Sequence, residues 1–325
     1  YKFKKEIIDF SANINPLGLP YYIKKLIGKS VNTVLHYPDP KAGDLTKMIA
    51  RYWNISEDNI LVGNGSIELI YLIATAFKPR TALIAAPEFS EYERAMATVK
   101  SRVRFLKLRE KDNFRFDFSQ VKAADIFIIS NPHNPTGNII ISGRDKIEGL
   151  PHKLIVFDEA FMDFVAGQMN YTMIHKTLKH SKLIVLRTFT KVFALAGLRA
   201  GYLIAHKDTI NMLKAYQAPW SVNSLAQIAA AGLLRDKAYI KNTRSFVEKE
   251  RAFLFNLLAG IEGLKSFRSE ANFILLKIKK KGLDSRSLSE KLLKRGLMVR
   301  DCSNFRGLNN KFVRIIIKDL RNPEE

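Results

Sequence analysis

Lys191 lies in the run Leu186-Arg187-Thr188-Phe189-Thr190-Lys191-Val192-Phe193-Ala194-Leu195-Ala196-Gly197-Leu198-Arg199, with two threonines just before it and an arginine eight positions on. An amine so placed can form a Schiff base with an aldehyde, while hydroxyl donors and a guanidinium fork hold a phosphate. The run therefore suits a ligand that carries both groups. Most lysines are solvated surface charges, so this one has to be weighed with its neighbours.

Two upstream runs add to it. Ser130-Asn131-Pro132-His133-Asn134-Pro135-Thr136-Gly137 follows the apolar Asp125-Ile126-Phe127-Ile128-Ile129, which reads as a buried strand with a loop at its carboxyl end. Two prolines and a glycine stiffen that loop and present the Asn134 amide; an ordinary rigid turn is the alternative. Lys153-Leu154-Ile155-Val156-Phe157-Asp158-Glu159-Ala160-Phe161 is a second buried-strand run, and this one ends in an acid. Asp158 there can pair with a protonated pyridine nitrogen and keep the ring an electron sink, or it can simply cap a helix. What joins the three is their order: strand-end Asn, strand-end Asp and strand-end Lys occupy topologically similar places.

The elements that must position them alternate. Short apolar strands are expected at 81–85, 103–106, 125–129, 153–157, 183–186 and 201–205, separated by amphipathic helices. That alternation implies an α/β fold with a mainly parallel sheet covered on both faces, in which ligands sit at the strand carboxyl ends. Beyond Pro219-Trp220-Ser221-Val222-Asn223 a long helical stretch is expected to about Leu258. A smaller α+β segment follows, with strands at 272–277, 298–300 and 312–317 and a helix at 285–295. An extended segment around 7–18 opens the chain.

The Asn-Pro-His-Asn-Pro-Thr-Gly, Asp-Glu-Ala-Phe and Thr-Phe-Thr-Lys blocks resemble the signature of fold-type I pyridoxal-phosphate (PLP) enzymes, the aspartate-aminotransferase-like superfamily. The likeness spans nearly the whole chain. It is nearest to the branch holding threonine-phosphate decarboxylases and histidinol-phosphate aminotransferases. The resemblance implies a large domain with a mainly parallel seven-stranded sheet plus a smaller α+β domain. The chain then divides into an amino-terminal arm over 1–30, a large cofactor domain over 31–222 and a small domain over 223–325.

The resemblance also implies roles. Lys191 would be the Schiff-base lysine, Asp158 the partner of the pyridine nitrogen, and Asn134 a hydrogen-bond donor to the ring's phenolic oxygen. Gly65, Ser66 and Ile67 would bind the cofactor phosphate, where glycines before a helix also offer free N–H groups and a favourable dipole. Thr188, Thr190 and Arg199 would complete that cup, and Phe89 would stack on the ring. Tyr37, in His36-Tyr37-Pro38-Asp39-Pro40, matches a tyrosine that reaches the neighbouring subunit's cofactor, which implies a homodimer with a shared active site. For the substrate, Arg314 aligns with the arginine that grips a carboxylate. Arg300 is a second anion ligand or an exposed salt bridge, and Asn15 and Asn134 are further hydrogen-bonding candidates for the substrate.

One position departs from many relatives: Phe161 stands where they carry a tyrosine whose hydroxyl also reaches the phenolic oxygen. Together with Asp9-Phe10-Ser11-Ala12-Asn13-Ile14-Asn15-Pro16-Leu17-Gly18 and the 299–315 ending, it leans towards the decarboxylases. The expected reaction is decarboxylation of L-threonine O-3-phosphate to 1-aminopropan-2-ol O-2-phosphate, for cobalamin synthesis. The alternative is histidinol-phosphate transamination with 2-oxoglutarate or glutamate. A catalytically inactive PLP-fold regulator or polyanion-binding protein would require the lysine or the aspartate to be lost, and both are present.

Composition agrees with this reading. The 325 residues suggest about two domains, and 47% hydrophobic with 26% charged residues is ordinary for a globular chain. The single cysteine, Cys302, excludes a disulfide framework and a cysteine-based metal site, so a cytoplasmic protein is expected. No apolar stretch approaches the length of a membrane span. The opening Tyr1-Lys2-Phe3-Lys4-Lys5-Glu6 lacks the apolar core of a signal peptide; it begins without Met, which leaves room for a short leader. The net charge of +22 is spread along the chain, with neither a basic helix carrying interleaved aromatics nor zinc-finger spacing. It points to a solvated surface and a general attraction to phosphorylated ligands, not to specific nucleic-acid recognition.

Overall fold

The apolar runs of the middle of the chain become strands whose side chains alternate between two cores. Ile126 and Ile128 pack on one face and Phe127 and Ile129 on the other; Leu154, Val156 and Ile155, Phe157 repeat the pattern one strand over. Burial on both faces is why these segments read as continuous hydrophobic runs. Each such side chain contributes about 1.5–3 kcal/mol by leaving water.

The computed structural model describes residues 7–319, so residues 1–6, where the question of a leader falls, lie outside the described residues. The strands are β1 Ile8–Asp9, β2 Ile60–Gly63, β3 Thr81–Ala86, β4 Arg102–Lys107, β5 Ala124–Ser130, β6 His152–Asp158, β7 Leu183–Thr188, β8 Gly201–Ala205, β9 Leu264–Ser266, β10 Phe273–Ile278, β11 Leu297–Met298, β12 Arg300–Asp301 and β13 Phe312–Ile316. The α-helices are α1 Tyr21–Ser30, α2 Gly43–Trp53, α3 Gly65–Phe77, α4 Ser90–Thr98, α5 Ile174–Thr177, α6 Lys207–Lys214, α7 Ser224–Leu233, α8 Lys237–Ala259 and α9 Ser285–Leu293.

The large sheet has seven strands in the order β2-β8-β7-β6-β5-β3-β4. Only β8 runs against its neighbours. The six expected strands are all present. The seventh, β2, is a four-residue run too short to announce itself, and it joins the edge by pairing with β8. A four-stranded antiparallel sheet, β12-β13-β10-β9, forms the smaller layer, while β1 pairs with β11.

Three expectations shift in detail. The helical stretch to Leu258 is two helices, interrupted before Asp236, whose carboxylate accepts from Tyr239 N and caps α8. The strand expected at 298–300 divides, because Leu297–Met298 pairs with β1 and Arg300–Asp301 with β13. α3 starts at Gly65 and is apolar almost all round, being packed between the sheet and α4. Among the described residues no helix is long and apolar enough to cross a membrane.

Candidate active site

The carboxyl ends of β3, β5, β6 and β7 lie along one edge of the large sheet, and the residues just beyond them line a cavity of about 360 Å³. Around it stand Ser66, Ile67, Glu88, Phe89, Tyr92, Ser130, Asn134, Asp158, Phe161, Thr188, Thr190, Lys191, Arg199, Arg300 and Arg314. The structure thus brings together residues from Ser11 to Arg314, nearly the whole length of the chain.

Asp158 is the last residue of β6 and is 5% exposed. Its carboxylate accepts from Tyr92 Oη at 2.6 Å and from Ala160 N at 2.9 Å. Burial raises its pKa, while those two donors and the nearby Lys191 oppose the rise. A cation set against it would restore the charged form. The strand ends that carry the acid and the lysine are locked from behind. Fully buried Arg187 pairs with Glu159 at 2.7 Å and Asp163 at 3.1 Å, and its guanidinium lies 4.8 Å from the centre of the Trp53 ring.

Lys191 follows β7 by three residues. Its backbone carbonyl accepts from Asn15 N, and its Nζ lies 5.8 Å from the centre of the Phe161 ring. Burial, with Arg314 and Arg199 repelling a further positive charge, brings the amine down to about 8. About a tenth of the amine is therefore neutral and nucleophilic at pH 7, far more than of an ordinary lysine.

The phosphate end is cut to shape. α3 begins at Gly65 with no side chain capping its first N–H groups, which leaves them for an anion. Gly65 has a φ of +72°, and a Cβ there would stand 2.7 Å from Arg199 Nη2, so only glycine lets the guanidinium close on the helix start. Gly201 is held to the same requirement, since a Cβ would meet Ser66 N at 2.6 Å. Arg199 itself has a φ of 61°. Thr188 and Thr190 hydroxyls lie 2.9 Å apart on the facing wall.

Asn134 Oδ1 accepts from Arg314 Nη1 at 2.5 Å, so its amide nitrogen is the end available to a ligand. Phe89 forms another wall, edge-on to Tyr92 with ring centres 5.7 Å apart. Arg300 and Arg314 are direct partners across the β12–β13 ladder. Arg300 donates to Asn304 Oδ1, and Arg314 is buried with its Nε unbonded. Neither has a carboxylate partner among the described residues, and burial together with Arg300 brings the Arg314 guanidinium down to about 10.

Two expected residues are not in the cavity. Asn15 does not offer its amide to a ligand: Nδ2 lies within 2.8 Å of Val192 O, Tyr239 Oη and Thr243 Oγ1, and Oδ1 accepts from Leu17 N. It fastens the amino-terminal segment to the lysine loop, and Ser11, Ala12 and Asn13 line the cavity instead. Tyr37 is 83% exposed on a separate groove, its ring 5.0 Å from that of Trp220. Sequence reasoning missed Tyr92, Glu88 and Ser130. The Phe89-x-x-Tyr92 spacing was the available signal, because one helical turn brings both rings to one face.

A flat heteroaromatic aldehyde with a phosphate arm fits this donor set. An acid faces one end, an amine with a lowered pKa lies between, and a glycine-shaped anion cradle closes the other. The Aminotransferase class I and II family model matches residues 5–322, and the chain belongs to that family of enzymes, which work with pyridoxal phosphate. It is 41% identical, over 98% of its length and 88% of the relative's, to a protein of Caldanaerobacter subterraneus subsp. tengcongensis whose name as a threonine-phosphate decarboxylase is provisional. Among solved structures it resembles the histidinol-phosphate aminotransferase of Clostridium acetobutylicum, with a TM-score of 0.88, 32% identity, and 98% and 96% of the two chains covered. It also resembles the L-threonine-O-3-phosphate decarboxylase of Porphyromonas gingivalis, with a TM-score of 0.86, 29% identity and the same coverage.

Proposed function

We propose that the protein decarboxylates L-threonine O-3-phosphate to 1-aminopropan-2-ol O-2-phosphate, a step of cobalamin synthesis, in the cytoplasm. The observation that carries the substrate class is the opposed pair Arg300 and Arg314, two guanidinia at the cavity wall without acid partners among the described residues. Like charges directly across a ladder repel, and an anionic ligand between them relieves that cost. A substrate with a carboxylate and a phosphate supplies such charge. The 41% identity to the provisional decarboxylase and the absence of a hydroxyl at Phe161 favour decarboxylation. The likeness to the Clostridium enzyme supports the second reading, histidinol-phosphate transamination.

Bound pyridoxal phosphate supplies an electron sink for the bond broken at the substrate Cα. The chain's own residues orient and gate that chemistry. Lys191 would hold the cofactor through Nζ and, with its lowered pKa, could move a proton at the substrate Cα. Asp158, held by Tyr92, would keep the ring nitrogen protonated. Asn134 would donate to the phenolic oxygen, Phe89 would wall the ring, and Ser66, Ile67, Thr188, Thr190 and Arg199 would hold the phosphate. Arg314 would fix the substrate carboxylate and so orient the substrate.

One assay separates the readings. Threonine phosphate is supplied and carbon dioxide measured, then histidinol phosphate with 2-oxoglutarate and glutamate measured. Carbon dioxide without glutamate is expected; glutamate alone overturns the decarboxylase assignment.

We further propose that exposed Tyr37 completes the site of a second copy, in a homodimer whose subunits divide near residues 30 and 222. Mixing Lys191→Ala with Tyr37→Ala protein should restore up to about a quarter of wild-type activity, because random pairing makes half the dimers mixed and each holds one intact site. A monomeric enzyme with no recovery overturns this.

A further inference from the structure

The site holds a second buried carboxyl group that the chemistry above does not use. Glu88 follows β3, has a side chain only 2% exposed, and lines the cavity beside Asp158. It accepts from Phe89 N at 3.0 Å and from Ser130 N at 3.0 Å, and Ser130 Oγ lies 2.8 Å from both its oxygens. Ser130 Oγ in turn accepts from Asn134 N at 2.9 Å, so the serine's own proton is directed at Glu88. A chain of bonds therefore runs from the carboxyl group to the backbone of Asn134.

The neighbouring imidazole fixes where another proton sits. His133 is fully buried, and its Nδ1 lies 2.7 Å from Thr136 Oγ1. Thr136 donates its hydroxyl proton to Asn138 Oδ1, and the same Asn138 amide donates through Nδ2 towards Phe114 O, which sets its orientation. The threonine oxygen can then only accept from the ring, so Nδ1 carries the hydrogen and Nε2 is an acceptor. That Nε2 is buried with no close hydrogen-bond partner among the described residues and stands 3.5 Å from Glu88 Oε2, while the Pro87 backbone also lies against the ring. A buried acceptor facing a carboxyl oxygen calls for a proton between them.

We propose that Glu88 is a positioning residue of this site, one that shares a single buried proton with His133 and, through Ser130, fixes the loop carrying Asn134. The last limb rests on the reading that Asn134 contacts the cofactor. The electrostatics agree: burial pushes the Glu88 carboxyl up to about 8 and the His133 imidazole down to about 3, which puts the proton on Glu88 at neutral pH. The other charged or titratable groups around it are Asp158 from β6, Tyr92 from α4, and Lys191, Arg199, Arg300 and Arg314 across the cavity.

The test is nitrogen NMR of ring-labelled histidine in the holoenzyme and the cofactor-free protein, with His133 assigned by His133→Gln. The expected spectrum shows a neutral ring with hydrogen on Nδ1, and an Nε2 signal that moves as pH passes through about 8, where Glu88 releases its proton. Glu88→Gln keeps the volume and offers an amide donor, so it should hold the tautomer and abolish that titration. Glu88→Ala should shift Nε2 to the value of an unbonded nitrogen and weaken cofactor binding about tenfold, since buried donors lose their acceptor. Hydrogen on Nε2, or the same Nε2 titration in Glu88→Gln, overturns the shared proton. Should Asn134→Ala leave the cofactor's visible spectrum unchanged, the loop-fixing limb falls, while the ring titration still decides the pair.

Discussion

The two sides of the cavity are built on different principles. The cofactor side stands on the ends of long, doubly buried strands, with Asp158 and Lys191 backed by Arg187 and its two acids. The proposed substrate side rests on β12, two residues long, and sets Arg300 against Arg314 with no acid paired to either among the described residues. Rigid, satisfied polar groups suit a ligand that stays; unpaired like charges suit one that arrives, neutralises them and leaves. On the proposed reading, the chemistry lies in the large sheet and the selection in the small one.

The largest expected effect breaks the first side outright. Lys191→Ala should lower turnover by about 10⁴-fold or more, equivalent to ~5.5 kcal/mol, and remove the visible band of the loaded protein. A normal band in that variant would refute the covalent role. Next, Arg314→Ala should cost about 10²-fold in kcat/KM, because it removes a buried charge-assisted fork and frees Asn134 Oδ1. Arg314→Lys should recover little of that loss, as an ammonium cannot reproduce the fork; full recovery would demote the arginine to a mere charge.

Arg300→Ala sharpens the comparison further, since the half-buried residue already leans on Asn304. A rise in KM of about tenfold with kcat little changed is expected; a fall in kcat alone would place Arg300 in the chemistry instead. The mildest effect is one of pH. Cofactor capture by the free protein should accelerate as pH rises through about 8 and level off above it, as the Lys191 amine becomes neutral. A rate that rises only above about 10, the ordinary range of lysine, would show that burial does not tune the amine.

Much of the site was legible because its residues follow strand ends. Asn134, Asp158 and Lys191 each come just after an apolar run, and period and turn chemistry place such residues at one sheet edge. Asn15 stands apart from the cavity for a reason composition cannot reveal: its amide bonds to Tyr239 and Thr243, more than 200 positions away. Tyr92 escaped notice because a tyrosine one helical turn after Phe89 also suits a core. Its bond to Asp158 exists only once α4 has docked.

The sequence by itself determined which atoms could react, since a strand end followed by a stiff loop presents its side chain at the sheet edge wherever the strand lies. Only the folded chain decided which groups meet across distance: Glu88 with His133, Arg300 with Arg314, and Gly65 with Arg199. Those encounters depend on sheet order and ladder register, which long-range packing selects and no local pattern encodes.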